Sequence, residues 1–345
     1  MLIGSLGRAR EVLRISAKKG DYNMRMAIIG AGNIAEKMAA TIAALEDVEA
    51  YAIAARDYGR AVEFAKKYGF TKAYGSYEEM LCDDEVELVY IATPHTHHYP
   101  HAKLCLEHNK NVLCEKPFMV NARQAEELFC LAEKKGLLIT EAIWTRYMPS
   151  RQMIDEIIAR GDIGEPTSLV ANLGYQLTHV NRMVKPELAG GALLDLGVYL
   201  LHFAGMVFGA EVERVISAAS MLETGVDGRD SITLIYKDGR TAVMHSSMCA
   251  VLDRRGVIFG TKGYLEVINV NNPEKLTVYD AGHQEIAAYY PPKQITGFEY
   301  QVLACKEAIE NGRTECAAIP HGESLRIMKM MDEMREQWGY EIPGI

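Results

Sequence analysis

Several things are missing from this sequence, and each absence narrows the field. Its seven cysteines are dispersed without a CxxC pair. An odd, scattered set argues against a disulfide framework or a cysteine-built zinc site, and reads as reduced thiols of a cytoplasmic protein. There is no basic excess: 37 Lys and Arg stand against 46 Asp and Glu, a net charge of −9, which disfavours a nucleic-acid partner. No apolar run approaches membrane-spanning length, so no membrane partner is expected. Internal repeats and low-complexity linkers are also lacking. What remains is 345 residues, 49% apolar and 24% charged, enough for two ordinary globular domains with separate cores.

The first 23 residues stand apart. Arg8, Arg10, Arg14, Lys18 and Lys19 face only Glu11 and Asp21, and the uncharged start Met1–Leu6 is too short for a secretory core. An arginine-rich targeting segment is one reading; a short surface extension before the fold is the favoured one. Met24 opens the first apolar strand and could itself be the native start.

From Met24 the pattern alternates strand and helix. Apolar strands are expected over 26–29, 48–55, 86–92, 112–115 and 137–140. Helices are expected over 33–45, 59–68, 98–108 and 122–135. This alternation predicts a Rossmann-type, doubly wound parallel sheet over 24–144. The rhythm changes after Trp144. A helix is expected over 153–158, then strands over 167–173, 212–221, 231–237, 241–247, 256–260, 264–269, 275–280 and 285–290. A helix at 191–203 interrupts them, and two more follow at 298–311 and 323–338. Residues 145–345 therefore predict an α+β domain with a large open antiparallel sheet. Helices on one side leave the other face to be covered, which suggests a homodimer or higher homo-oligomer.

Gly30-Ala31-Gly32-Asn33-Ile34-Ala35 has the form G-x-G-x-x-G/A between a strand and a helix. Gly30 makes the turn, Gly32 lets backbone approach a pyrophosphate, and the helix start at Asn33 and Ile34 offers its dipole. At the end of the second strand, Ala54-Ala55-Arg56-Asp57 places an arginine behind small residues. Arg56 favours the 2′-phosphate of NADP; Asp57 keeps NAD open.

Lys116 stands in Val112-Leu113-Cys114-Glu115-Lys116-Pro117, a cation delivered at the carboxyl end of a strand, where open parallel sheets bind ligands. The following proline invites a cis bond. Farther along, Ala189-Gly190-Gly191-Ala192-Leu193-Leu194-Asp195-Leu196-Gly197-Val198-Tyr199 puts Asp195 and Tyr199 four apart on one helix face, with His202 a further turn along.

The Gly30 loop, Glu115-Lys116-Pro117 and the Gly-Gly-x-x-x-Asp segment together resemble the glucose–fructose oxidoreductase/inositol dehydrogenase/rhizopine catabolism (Gfo/Idh/MocA) family, over residues 24 to about 340. Thr93-Pro94-His95-Thr96-His97-His98 resembles its Thr-Pro-Asn-x-x-His segment, with His95 replacing asparagine. Tyr199 stands where the family often has histidine. That departure, with Glu141–Arg146 and the Ala54–Asp57 run, resembles a branch containing dimeric dihydrodiol dehydrogenases and NADP-dependent xylose dehydrogenases. The resemblance implies an NAD(P)-dependent enzyme moving hydride between nicotinamide and a hydroxyl-bearing carbon of a sugar, polyol or diol. Thr93, Pro94, His98 and Glu115 would help hold the cofactor. Tyr199 would exchange the hydroxyl proton, Lys116 would lower the phenol pKa and stabilise an alkoxide, and Asp195 would orient the pair or bind substrate. Trp144 would supply an apolar face, and Arg146 and Arg182 rim donors. Two other readings stay open: a non-catalytic nicotinamide-binding sensor, and a glycosidase that recycles bound NAD. A metal site on His95, His97, His98 and His101 is disfavoured, because no carboxylate or cysteine cluster accompanies them.

Overall fold

The computed structural model describes residues 23–345. The basic extension expected over 1–23 lies, but for Asn23, outside the described residues. Six parallel strands form the first sheet: β1 (Met24–Ile29), β2 (Val48–Ala54), β3 (Lys72–Tyr74), β4 (Leu88–Ile91), β5 (Asn111–Glu115) and β6 (Ile139–Ala142). Their order is β3-β2-β1-β4-β5-β6, so the winding reverses between β1 and β4. A crevice for a ligand opens at the strands' carboxyl ends at such a reversal. The crossovers carry α1 (Asn33–Ile42), α2 (Tyr58–Tyr68), α3 (Tyr77–Leu81), α4 (His98–Glu107) and α5 (Ala122–Lys135).

Local chemistry sets these boundaries. Asn121 caps α5 by accepting from Gln124 N, and Gly136 ends it in the left-handed region at φ 65°. That helix therefore falls on the predicted span. The sequence reading missed β3 and α3, which are too short to carry a period. The Lys116–Pro117 bond is cis.

The second domain holds α6 (Pro149–Ala159), then β7 (Pro166–Gly174), a π-turn at Leu193–Gly197 running into α7 (Val198–Phe208), and seven further strands. These are β8 (Val212–Met221), β9 (Asp227–Tyr236), β10 (Thr241–Ser247), β11 (Gly256–Gly260), β12 (Gly263–Ile268), β13 (Lys275–Asp280) and β14 (Glu285–Tyr289). All eight expected strands are present, but the sheet is mixed. Its order is β14-β13-β12-β11-β7-β10-β9-β8, with β7 and β10 parallel. The meander β8-β9-β10 is antiparallel within itself and docks its last strand alongside β7, from which a long connection through α7 separates it. No hairpin forces the pair antiparallel.

The expected helix at 191–203 instead starts as a π-turn and continues to Phe208. The segment Pro186–Phe208 is long and apolar enough to cross a membrane by length and composition, contrary to the sequence expectation, yet nearly all of it is buried in the protein. It packs against β7, β10 and α9 (His321–Trp338). Its Leu200, Leu201 and Phe203 side chains are buried, each contributing on the order of 1.5–3 kcal/mol.

The C-terminal helices, α8 (Glu299–Glu310) and α9, return to the first domain. Asp332 accepts from the first amide of α5, Ala122 N, at 2.8 Å. His321 stacks on Phe129 with ring centroids 4.1 Å apart and donates to Ile139 O. The C-terminal helix thereby packs the second domain against α5 and β6 of the first.

Candidate active site

Gly30 turns the chain out of β1 at φ 101°, and a Cβ there would press against Ala92 O at 2.9 Å. A Cβ on Gly32 would meet nothing within 4 Å. That open space, beside a helix start with no side-chain cap, fits a pyrophosphate approaching the α1 amides. Asn33 is exposed and Ile34 half-buried beside it, while Ala35 is buried against the sheet. The residues therefore fit a dinucleotide.

The end of β2 resolves the two charges found there. Asp57 Oδ1 accepts from Arg60 N, making Asp57 the N-cap of α2. Arg56 is exposed, and its charge lowers the pKa of His97 after burial, and that of His101 after burial and His97. Arg60, which sequence reasoning did not single out, reaches the glycine loop and donates to Ala31 O at 3.0 Å. Two guanidinium groups thus stand at the end of β2 close to the glycine loop.

Thr93 and Pro94 are half-buried at the end of β4. His98 is not open to a cofactor: it is fully buried, with Nδ1 2.9 Å from Pro117 O and Nε2 2.9 Å from Thr93 O. Burial pushes its pKa down to about 3. It ties the Thr93 loop to the turn after Lys116. Glu115 is likewise buried, accepting from Tyr90 Oη and from Lys116 N; burial raises its pKa. Both brace the backbone next to Lys116. The four histidines do not converge, and no group of three metal-ligating side chains occurs among the described residues.

Lys116 and Asp195 meet across the two domains. The ammonium donates to Asp195 Oδ1 at 2.9 Å and to Asp195 O at 2.8 Å. Arg182 Nη1 adds a 3.1 Å bond to the same Oδ1, and His95 Nε2 lies 3.7 Å from it. Burial alone would raise the Asp195 pKa, but Lys116, His95 and Arg182 hold it well below the usual carboxylate range. His95 is locked by donating from Nδ1 to Ala189 O at 2.8 Å.

Tyr199 joins this cluster through its ring: Lys116 Nζ sits 4.9 Å from the ring centroid. The expected lowering of the phenol pKa by Lys116 is not met. Burial, then Glu115 and Asp195, push it well above its ordinary value, and the Trp144 indole opposes them only weakly. The cation faces the π-cloud, while two carboxylates and the low dielectric disfavour phenolate. Tyr199 is held as a neutral acid.

Three further expectations are revised. Arg146 is not a rim donor: it is buried, donates to His202 Nδ1 at 3.0 Å and pairs with Glu323 at 2.7 Å. His202 does not join the Asp195–Tyr199 cluster, because Arg146 Nε and Glu141 engage it: it lies 3.5 Å from Glu141 Oε2. Trp144 reaches the site but is closed in: Lys37 Nζ stands 4.1 Å from its ring, and Phe298 packs edge-on at 5.0 Å. Phe298 and Lys37 were not singled out from sequence; Gly297 at φ 90°, just before Phe298, marks the close approach. Arg182 alone fits a rim donor, with a side chain 44% exposed.

Glu141 links the segment that carries Lys116 to the helix that carries Tyr199. It accepts from Phe118 N, two residues past Lys116, at 3.0 Å, and from Ser324 Oγ at 2.6 Å. It also faces His202 on the helix that carries Tyr199.

Comparison with known proteins agrees with this geometry. Residues 24–142 match the model of the oxidoreductase family with an NAD-binding Rossmann fold, and residues 152–266 match the GFO/IDH/MocA C-terminal domain. The chain is 36% identical over 333 residues to trans-1,2-dihydrobenzene-1,2-diol dehydrogenase of Mus musculus, covering 93% of this chain and 98% of that one. The Homo sapiens protein of that name is 35% identical over 328 residues, with the same coverage. Among solved structures, KijD10, a 3-ketoreductase from Actinomadura kijaniata in complex with NADP and TDP-benzene, superposes with a TM-score of 0.83. It is 25% identical, over 91% of this chain and 97% of that one. The aldose-aldose oxidoreductase of Caulobacter crescentus, 21% identical over the same shares, shares the fold with a TM-score of 0.83. A dinucleotide crevice, a lysine at its edge and a second domain that completes the site thus coincide with full-length similarity: the chain belongs to the Gfo/Idh/MocA family of NAD(P)-dependent oxidoreductases.

Proposed function

We propose that this protein is an NADP-dependent dehydrogenase acting on a secondary hydroxyl of a trans-diol or aldose, with Lys116 and Tyr199 as its acid–base pair. The observation that carries the reading is the meeting of these two side chains from different domains, 4.9 Å apart from ammonium to ring centroid, at the carboxyl edge of the Rossmann sheet. When bound, the nicotinamide supplies or accepts the hydride. The chain's own groups do the rest. Lys116 spends two of its N–H groups on Asp195, which leaves the third for the substrate oxygen. Tyr199, neutral and buried, is set to give its proton to a carbonyl oxygen in the reductive direction; in the oxidative direction its own proton must first leave to solvent before it can accept the substrate's. Arg182 and Asp195 are placed to grip neighbouring hydroxyls. The names of the relatives, a dihydrodiol dehydrogenase and an aldose oxidoreductase, support that substrate class. Arg56 and Arg60, with Asp57 engaged as a helix cap, support NADP over NAD.

The protein is further proposed to be a homodimer through the outer face of its second sheet. Val257, Val170, Val243, Thr233 and Ile216 stand opposite one another across five strands. Val170, Val243 and Ile216 are each more than two-fifths exposed, an apolar row of the kind monomers rarely leave open. Seven unpaired cysteines support a reducing, cytoplasmic setting. The test is the absorbance of reduced nicotinamide with NADP and a panel of trans-diols and aldoses. NADPH accumulating with members of the panel supports the reading. No net NADPH with any of them rejects it and leaves a sensor or a recycled-cofactor enzyme.

A further inference from the structure

Asp227 opens β9, far from the motifs that mark the crevice, and its side chain is 2% exposed. A carboxylate this deeply buried calls for strong compensation. Here the compensation is mostly backbone, with a side-chain hydrogen bond from Asp230 besides. Oδ2 accepts from Leu193 N, 34 residues away, at 2.6 Å, and the Ala192 amide contributes as well. Gly191, immediately before, sits at φ 119°, and a Cβ there would collide with Asp227 Oδ1. The glycine lets the carboxylate enter. Asp227 thus serves this segment as a capping residue serves a helix, an anion on the unsatisfied amides of a first turn.

The turn it holds is unusual. Leu193–Gly197 is a π-turn, a form found mostly as single-turn insertions, often at functional sites. Asp195, two residues past the captured amide, gives both its carbonyl O and its Oδ1 to the Lys116 ammonium. That double contact requires backbone and side chain to point the same way, which depends on the phase of the turn.

We propose that Asp227 is a positioning residue of the active site: its carboxylate fixes the start of the π-turn so that Asp195 can hold Lys116 by two atoms at once. This rests on the reading that Lys116 and Tyr199 carry the chemistry. The anionic form does the positioning. Burial raises the Asp227 pKa to about 6. The charged and titratable groups facing it are Asp230 on the same strand, Arg335 of α9 and Tyr340 beyond α9; the π-turn presents backbone N–H groups. Burial and Asp227 push Asp230 well above the carboxylate range, so it stays protonated, with Ser246 Oγ 2.6 Å from its Oδ2. Arg335 is engaged by Asp332. With a raised pKa, the Asp227 anion is lost as pH falls through about 6.

The experiment compares kcat, KM and NADPH binding of the full-length enzyme and Asp227→Asn from acid to neutral pH. In the unmodified enzyme, kcat falls reversibly on an acid limb near pH 6 while KM changes little. In Asp227→Asn, kcat is roughly 10- to 100-fold lower, the scale of an ångström-level misplacement. That limb is gone, and KM and NADPH binding are preserved. Should Asp227→Asn not fold, Asp227→Ser, which keeps an acceptor but no charge, carries the same expectation. Wild-type kcat in the variant, an unchanged acid limb, equal losses in kcat and cofactor binding, or no acid limb in the unmodified enzyme each overturn the proposal. Lys116→Met is run alongside. If it stays active, the underlying reading fails; if it is inactive while Asp227→Asn turns over normally, only the positioning role fails.

Discussion

Replacing Lys116 with methionine keeps the side-chain stem and removes the ammonium. Two hydrogen bonds disappear, to Asp195 Oδ1 at 2.9 Å and Asp195 O at 2.8 Å. Asp195 is 5% exposed, and it keeps only Arg182 at 3.1 Å and His95 at 3.7 Å. Breaking a buried ion pair from one side typically costs roughly 3–5 kcal/mol. With Arg182 still present, the lower end, roughly 3 kcal/mol, is expected. The pH dependence has a definite sign. Asp195 is held well below its ordinary value, so its contribution is fully present above the unfolded pKa of about 3.9 and is lost as pH falls through the folded value. In the variant the folded pKa rises, so the stability gap is full at neutral pH and narrows as acid protonates the stranded carboxyl. Turnover should drop by roughly 10²–10³, the scale for losing one donor to a developing oxyanion, with NADPH binding little changed. The assay combines steady-state kcat, NADPH fluorescence titration and urea unfolding at neutral and acid pH. The double variant Lys116→Met with Asp195→Asn separates the roles, because it should recover stability and leave kcat low. Reduced stability with near-native turnover would show that Lys116 only compensates Asp195.

Arg56→Ala should raise KM for NADP by roughly tenfold or more, the scale of one charged hydrogen bond, and leave KM for NAD nearly unchanged; paired cofactor kinetics check this. Glu141→Gln should lower stability by roughly 1–3 kcal/mol, because an amide cannot accept from Phe118 N and Ser324 Oγ while also facing His202 as an anion; chemical unfolding measures it. Val170→Arg combined with Val243→Arg places like charges opposite one another on the exposed apolar row and should yield monomers by sedimentation, with the fold retained.

Parts of this protein were legible from sequence because the signal is local. The glycine loop, the α5 boundaries and the cation at the end of β5 each depend on residues within one turn or strand. The Lys116–Asp195 contact was legible in outline, since each residue stood out within its own segment. What escaped depends on contacts remote in sequence. Asp227 falls before the strand expected over 231–237 and carries no signal until Leu193 N is found beside it. Arg146 reads as a surface donor until Glu323 and His202 enclose it. Lys37 gains meaning only from Trp144 and Phe298. The π-turn itself carries no sequence period that separates it from an α-helix, yet Asp195 and Tyr199 still meet at Lys116. The parallel pairing of β7 with β10 follows from docking between non-consecutive strands, which strand patterns do not encode.

The central claim is that an acid supplied by the second domain completes a dinucleotide site in the first. Its most direct test is turnover of Tyr199→Phe on a substrate the unmodified enzyme oxidises with NADP, with NADPH affinity measured on the same protein. The account predicts a loss in kcat of roughly 10²–10⁴, the range for general acid–base catalysis, with cofactor affinity intact. Near-native turnover by the phenylalanine variant would contradict it.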